Sequence, residues 1–288
     1  MINQKKSFDM PHDTDMAWCP GCGNFPILNI LKTALSDLGH SPEEIVLVSG
    51  IGQAAKTPHY VKTHVFNGLH GRSLPAATAI KLSNPSLTVI AESGDGDTYG
   101  EGGNHFMHTI RRNPGIVNIV HNNMIYGLTK GQASPTSQKG MQTPVQTNGV
   151  VMEPFNPIAT AITLDASFVA RANAGNVAQA IEIFKQALEW KHGYALIDVF
   201  QPCVVFNKIN TYQWFSGNTY LLDPTSHDST DRMKALELAF QTEKMPLGVI
   251  YTNPEREPYE TLVRSTDIPL HKQPFDERSF SELLQSFA

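Results

Sequence analysis

The sequence is poor in cysteine, in basic charge and in long apolar runs, and each shortage excludes a class of protein. Three cysteines among 288 residues are an odd number and argue against a disulfide framework. A formal net charge of −5 and a pI near 6.1 are atypical of nucleic-acid-binding proteins. No run of 18 apolar residues is present, and the polar N-terminus does not look like a signal peptide. These absences predict a cytoplasmic protein without a membrane or nucleic-acid partner.

The composition is typical of a globular protein. Hydrophobic residues make up 41% of the sequence and charged residues 17%, and 288 residues can bury a sizeable core. Helical patterns alternate with short β-branched runs, which predicts an α/β fold with a mostly parallel, doubly wound sheet of five or six strands. We expect this domain to span residues 1–210, beginning with a loose arm over residues 1–15. Residues 211–288 then form a C-terminal extension that packs on the core or on a partner subunit.

The most informative stretch runs from residue 87 to residue 136. Its β-branched run at 87–91 predicts a buried strand, and a second strand is predicted at 116–120. The intervening helix carries apolar residues at helical spacing, namely Phe106, Met107 and Ile110. A strand, helix and strand of this length form a right-handed crossover, so both strands end at one edge of a parallel sheet. Open α/β sheets bind ligands at that edge.

Two oxygen donors follow these strands and predict a magnesium site. Asp95 supplies a carboxylate, and Asn123, 28 positions later, supplies an amide oxygen. Magnesium prefers such hard oxygen ligands and commonly bridges phosphates. Neighbouring glycines would let the main chain approach a diphosphate at a helix N-terminus; they are Gly94, Gly96, Gly102 and Gly103. The same residues also fit an ordinary strand-to-helix turn, because glycine and aspartate dominate turns.

Cys19 and Cys22 form a Cys-Pro-Gly-Cys loop before a helix predicted to begin at Asn24. Three interpretations are open from the spacing alone. A redox dithiol fits, because a helix N-terminus lowers the pKa of a thiol. A zinc site would need two further ligands, and an iron–sulfur cluster normally takes four thiolates. The third cysteine, Cys203, follows a predicted strand and by itself has the pattern of a buried, inert residue.

Several of these segments together resemble one known family. The motifs are GDGD at 94–97, NNxIYGLTxGQxSPT at 122–136, WCPGCG at 18–23, SGIG at 49–52, HGR at 70–72 and QPC at 201–203. In this order they resemble the β subunit of 2-oxoacid:ferredoxin oxidoreductases, across residues 16–210. The resemblance implies the fold of a thiamine-diphosphate-binding domain.

The resemblance also implies residues for three cofactors. Magnesium would be held by Asp95, Asn123 and the main-chain carbonyl of Ile125. Thiamine diphosphate would contact Ile51, Gly52, Gln53, Ala54, Gly94, Gly96, Asp97, Gly127, Leu128 and Thr129. A [4Fe-4S] cluster would be held by Cys19, Cys22 and Cys203.

One position departs from the family pattern, since Gln53 stands where most relatives have a cysteine that binds the cluster. An amide oxygen is a poor ligand for a soft metal site, so Gln53 itself is not the favoured fourth ligand. We therefore expect a fourth ligand other than a cysteine of this chain, or a labile fourth iron.

The implied reaction is the oxidative decarboxylation of a 2-oxoacid to acyl-CoA and CO₂ with electrons passing to ferredoxin, or the reverse carboxylation. Coenzyme A, ferredoxin and an α subunit are the expected partners, in an αβ dimer or a dimer of it. The α subunit would supply the glutamate that activates the aminopyrimidine.

Three residues are candidates for catalytic roles. His70 and Arg72 lie in the HGR motif, which the resemblance places near the cofactor, and the Arg72 guanidinium is suited either to a phosphate or carboxylate ligand or to a salt bridge within the protein. Lys130 follows the threonine of YGLT, where its ammonium group either points to solvent, pairs with a carboxylate of a partner subunit, or binds the distal carboxylate of 2-oxoglutarate and so favours that substrate over pyruvate. Alternatives are a pyruvate-type enzyme, a non-redox thiamine-dependent decarboxylase or synthase subunit with structural cysteines, and a non-enzymatic electron-transfer or scaffold subunit.

Overall fold

The computed structural model describes residues 8–11, 14–274 and 277–287. The strands in chain order are β1 (Ile45–Ser49), β2 (His64–Asn67), β3 (Thr88–Gly94), β4 (Ile116–Asn122), β5 (Phe168–Asn173), β6 (Ala195–Phe200), β7 (Thr219–Leu221) and β8 (Met245–Thr252). The α-helices are α1 (Asn24–Asp37), α2 (Ser73–Ser83), α3 (Gly103–Arg112), α4 (Pro157–Thr163), α5 (Val177–Glu189), α6 (Tyr212–Gly217), α7 (Arg232–Ala239), α8 (Tyr259–Val263) and α9 (Glu277–Gln285). One π-helical turn, Gly96–Glu101, follows β3.

The strands form one sheet in the order β2-β1-β3-β4-β6-β5-β8-β7. Neighbouring strands are parallel except where β8 pairs antiparallel with β5. The predicted mostly parallel α/β sheet is therefore confirmed, but the number of strands was wrong, because the sheet has eight. Strands β2 and β7 were not predicted: β2 is an exposed edge strand and β7 has three residues, so neither carries a clear apolar pattern.

Side chains of successive strand residues point to opposite faces, which places helices on both sides of the sheet. In β1, Ile45 and Leu47 join a core with α1 and α5, whereas Val46 and Val48 join a core with α2, α3 and α4. Every residue of β4 is buried, as expected for a central parallel strand covered on both faces. The carboxyl ends of β3 and β4 are consequently held rigidly from both sides.

Several local expectations need correction. Phe106 and Ile110 are fully buried on α3, but Met107 is 39% exposed and does not belong to the core. The N-terminal arm is not loose throughout, because Phe8 is fully buried in the core; residues 1–7 and 12–13 lie outside the described part of the chain. Helix α7 begins after Asp231, whose side chain caps its start by accepting a hydrogen bond from the Lys234 amide.

The C-terminal region shares the main sheet. Strand β8 lies within residues 211–288 and pairs with β5, so the extension continues the sheet of the first 210 residues. The division at residue 210 stays a prediction. No helix within the described ranges has both the length and the apolar character needed to cross a bilayer.

Candidate functional site

The candidate site lies at the carboxyl ends of β3 and β4. These strands are parallel neighbours, with Gly94 paired to His121. Asp95 directly follows β3, and Asn123 directly follows β4. The predicted crossover therefore brings the two motifs to one edge of the sheet.

Asp95 is a buried carboxylate held by two hydroxyl groups. Ser134 Oγ and Thr136 Oγ1 donate to its Oδ2 atom at 2.5 and 2.6 Å. Burial raises the pKa of Asp95 to about 6, although these hydrogen bonds act in the opposite direction. A buried carboxylate of this kind gains most from a nearby cation, and its hard oxygen atoms match magnesium. Ser134 and Thr136 were not among the predicted site residues, although both belong to the SPT end of the motif.

Asn123 is oriented by a different set of partners. Its Oδ1 atom accepts a hydrogen bond from the Ile125 amide at 3.1 Å, and its Nδ2 donates to Gln201 Oε1 at 3.0 Å. Asp95 is connected instead to Asn122, because Thr136 Oγ1 also lies 2.9 Å from Asn122 Oδ1. Asn123 as a magnesium ligand therefore stays a prediction, with Gln201 as an unpredicted residue that positions it.

The side chain of Asp97 connects three of the sequence motifs by hydrogen bonds. Its Oδ1 atom accepts hydrogen bonds from the amides of Ile51 at 3.0 Å and Gly71 at 2.9 Å. Burial raises the pKa of Asp97, and within the described chain its Oδ2 atom has no hydrogen-bond partner. The exposed side chains of His70 and Glu101 place ligand atoms within 4.8 Å of those of Asp97. The SGIG, HGR and GDGD segments are thus held against one another by one carboxylate.

Glycines line this turn because side chains would not fit. A Cβ atom added at Gly96 would lie 2.2 Å from the Tyr126 ring. At Gly102 it would lie 2.8–2.9 Å from three main-chain oxygen atoms. The main chain of the turn is therefore packed closely against Tyr126 and against neighbouring main-chain atoms, which only glycine allows. The residues present fit both thiamine diphosphate and magnesium.

The YGLT loop closes on itself beside this turn. The Tyr126 amide donates to Gln132 O and the Gly131 amide donates to Tyr126 O, both at 2.8 Å. The three residues at its tip, Leu128, Thr129 and Lys130, are exposed. Lys130 has a left-handed backbone with φ of +76°. A role for its ammonium group in binding substrate stays a prediction, as do roles for Arg72, also exposed, and for His70.

The three cysteines line one cavity. Cys19 and Cys22 precede α1 and Cys203 follows β6, yet all three border the same space. The wall also includes Gln53, Asn123 and Gly127, residues of the candidate cofactor site. Burial raises the pKa of the Cys22 thiol to about 11, so Cys22 alone is not a reactive thiol. Three thiols with no fourth cysteine fit part of a cluster site.

Comparison with known proteins agrees with this geometry. Residues 48–199 match the family of the thiamine pyrophosphate enzyme C-terminal TPP binding domain. Residues 203–267 match the family of the C-terminal region of the pyruvate ferredoxin oxidoreductase beta subunit, so the relationship extends beyond residue 210.

Several known proteins are similar to this chain over most of its length. A 2-oxoacid:ferredoxin oxidoreductase subunit beta from a Sulfolobus species is 41% identical over 86% of this chain and 85% of its own length. The subunit KorB of a 2-oxoglutarate oxidoreductase from Mycobacterium tuberculosis is 40% identical over 70% of this chain and 54% of its own. A structure of 2-oxoglutarate:ferredoxin oxidoreductase from Magnetococcus marinus, with 2-oxoglutarate, coenzyme A and succinyl-CoA bound, has a TM-score of 0.90 and 32% identity, and the match covers 99% of this chain and 97% of that one. The chain therefore belongs to the thiamine-diphosphate-binding β subunits of the 2-oxoacid:ferredoxin oxidoreductases.

Proposed function

We propose that the chain works with an α subunit to oxidise 2-oxoglutarate, forming succinyl-CoA and CO₂ and passing electrons to ferredoxin, or catalyses the reverse carboxylation. The 2-oxoglutarate assignment is supported by the relative from M. tuberculosis and by the ligands of the M. marinus structure. Pyruvate is the alternative substrate.

One observation carries the redox assignment: the cysteine cavity and the cofactor site share a wall. A Cβ atom added at Gly127 would lie 3.8 Å from Cys203 Sγ. Asn123 lines the cavity and also follows β4 at the diphosphate edge. An iron–sulfur cluster bound there would lie next to the cofactor that releases electrons. A non-redox decarboxylase would have no use for three converging thiols at this position.

The proposed cofactor contacts follow from the hydrogen bonds at the sheet edge. Thiamine diphosphate supplies the carbanion chemistry needed for 2-oxoacid decarboxylation. Asp95, Asn123 and the Ile125 carbonyl would hold the magnesium ion, while Ser134 and Thr136 fix the Asp95 carboxylate. The bare main chain of Gly94, Gly96 and Gly127 and the side chains of Asp97, Leu128 and Thr129 would surround the diphosphate.

Asp97 has a second part in this proposal. By accepting from the Ile51 amide it holds the segment formed by Ile51, Gly52, Gln53 and Ala54 near the cofactor. The three thiols of Cys19, Cys22 and Cys203 would bind a [4Fe-4S] cluster on the other side of that segment. The loop of residues 51–54 would thus lie between the two cofactors.

Two observations support the need for an α subunit. Glu92 of β3 is fully buried inside the sheet, and its Oε1 atom accepts from Thr57 at 2.7 Å and lies 2.8 Å from His121 Nε2, so a thiamine ring cannot reach it from the surface. The glutamate for that ring would come from the α subunit. Edge strand β2 also exposes Val65 and Phe66, each 47% exposed, as a surface that a partner could cover.

Anaerobic purification of the complex tests this proposal. We expect thiamine diphosphate, iron and sulfide in the complex, and 2-oxoglutarate-dependent reduction of ferredoxin that requires coenzyme A. The Cys203→Ser variant is expected to lose iron but keep thiamine diphosphate. Decarboxylation without reducible iron would support the non-redox alternative, and a complex free of thiamine diphosphate would support the scaffold alternative.

A further inference from the structure

Ligand softness alone disfavours Gln53, yet from the contacts around the cavity we propose that its amide oxygen is the fourth ligand of the iron–sulfur cluster, and that the iron it binds is therefore the most labile one. This inference rests on the proposed function, since it assumes that the three-cysteine cavity holds a cluster. Gln53 lines that cavity together with Cys19, Cys22 and Cys203.

The cavity wall contains several amide oxygen atoms that could bind a metal. Its four amide side chains belong to Asn24, Gln53, Asn123 and Gln201. Asn24 Oδ1 lies 2.8 Å from His121 Nδ1. Asn123 Oδ1 accepts from the Ile125 amide at 3.1 Å, and Gln201 Oε1 accepts from Asn123 Nδ2 at 3.0 Å.

Gln53 is different from the other three. Its Oε1 atom is buried and has no hydrogen-bond partner among the described residues. A buried amide oxygen without a partner is destabilising, and a bound metal ion would supply the missing partner. Among the four amides of the cavity wall, Gln53 alone has an oxygen free to bind a metal.

The main chain holds Gln53 in place. The indole Nε1 of Trp18 donates to Gln53 O at 2.7 Å, and Trp18 directly precedes Cys19. The Trp18 ring is buried and packs edge-on against Tyr60, with ring centroids 4.7 Å apart. The cysteine loop and the main chain of Gln53 are therefore joined by one hydrogen bond beside the cavity that Gln53 lines.

A neutral oxygen ligand changes the properties of the bound cluster in two ways. Oxygen binds this soft site less tightly than a thiolate, so the iron at Gln53 should be lost first on oxidation. A cluster with three thiolates also carries one negative charge fewer than a cluster with four. Because less negative clusters are reduced more easily, its reduction potential should be higher.

The test uses the complete α–β complex, purified anaerobically with iron-57, and three variants of this chain. Gln53→Leu removes the oxygen, and Gln53→Cys supplies a thiolate. Gln179→Leu is the matched control, because Gln179 Oε1 is likewise buried without a partner but lies in a groove bordered by α5 and β8 that contains no cysteine.

We expect about four irons per β chain in the wild type, with one iron distinct by Mössbauer spectroscopy and released by mild oxidation. Gln179→Leu should match the wild type. Gln53→Leu should contain about three irons and show the EPR signal of a three-iron cluster. Gln53→Cys should keep all irons on oxidation and have a lower reduction potential.

Two other outcomes separate the possible errors. If Gln53→Leu keeps the iron content and the Mössbauer spectrum of the wild type, Gln53 is not a ligand, while the proposed function stands. If iron is absent from the wild type and from Gln53→Cys alike, the cluster and the redox function are both refuted.

Discussion

Replacing Asp95 should weaken cofactor binding and increase the stability of the cofactor-free protein. Asp95 is 1% exposed and carries a pKa raised to about 6 by burial, compared with about 3.9 for a free aspartate. A difference of this size corresponds to about 3 kcal/mol against the ionised form in the folded state. The cofactor-free protein should therefore lose stability as the pH rises from about 4 to about 6, because the folded state holds its proton longer.

Asp95→Asn keeps the shape of the side chain and removes its charge. At pH 7 we expect the cofactor-free variant to be more stable than the wild type by up to about 3 kcal/mol, reduced by weaker contacts to Ser134 and Thr136. Magnesium and thiamine diphosphate should bind more than about 100-fold more weakly, because even residues that only support a ligand contribute 10–100-fold to metal affinity.

Denaturant unfolding between pH 4 and pH 8, with and without magnesium and thiamine diphosphate, measures both effects. Asp165→Asn is the control: Asp165 accepts a hydrogen bond from Tyr251 at 2.6 Å but lies just before β5, at the opposite edge of the sheet. This control should bind cofactor normally. Full thiamine diphosphate occupancy in a folded Asp95→Ala protein would refute the magnesium assignment.

Three further predictions concern backbone packing, thiol chemistry and substrate choice. Gly102→Ala should destabilise the protein by about 1–3 kcal/mol, because the new Cβ atom would meet main-chain oxygen atoms. Gly103→Ala should not, because the space around its Cβ is open. Thermal unfolding compares the two variants, and equal losses of stability would contradict this packing explanation. In iron-free protein at pH 8, iodoacetamide should modify Cys22 far more slowly than the exposed Cys19, and the rate at Cys22 should rise towards pH 11. Peptide mass spectrometry measures both rates. Equal rates would contradict the burial of Cys22. Lys130→Ala should lower kcat/KM for 2-oxoglutarate by about 10–100-fold more than for pyruvate, since a charge-assisted hydrogen bond contributes about 1.5–3 kcal/mol; equal losses would show that Lys130 does not bind the distal carboxylate.

The central part of the fold was predictable because its signals are local. The β-branched runs of β3 and β4 identify buried strands, and Pro114 with Gly115 predicts the end of α3, which the structure places at Arg112. Since parallel strands joined by a crossover end at one edge, the neighbouring positions of Asp95 and Asn123 also follow from sequence alone.

Hydrogen-bond partners, by contrast, depended on distant parts of the chain. Gln201 is 78 positions from Asn123, and Ser134 is 39 positions from Asp95, so no periodic pattern relates them. Edge strands such as β2 were missed for a similar reason: they are defined by pairing with β1, while their own side chains are exposed.

The sequence by itself determined which chemical groups are present: three thiols, an aspartate and an asparagine at two strand ends, and a glutamine in place of a fourth cysteine. Only the tertiary structure decided which of them meet. Cys203 joins Cys19 and Cys22 because the loop before α1 and the loop after β6 pack together, and Gln53 Oε1 lies buried without a hydrogen-bond partner among the described residues. Packing between residues far apart in the sequence brings these partners together, and no pattern within a short segment specifies such contacts.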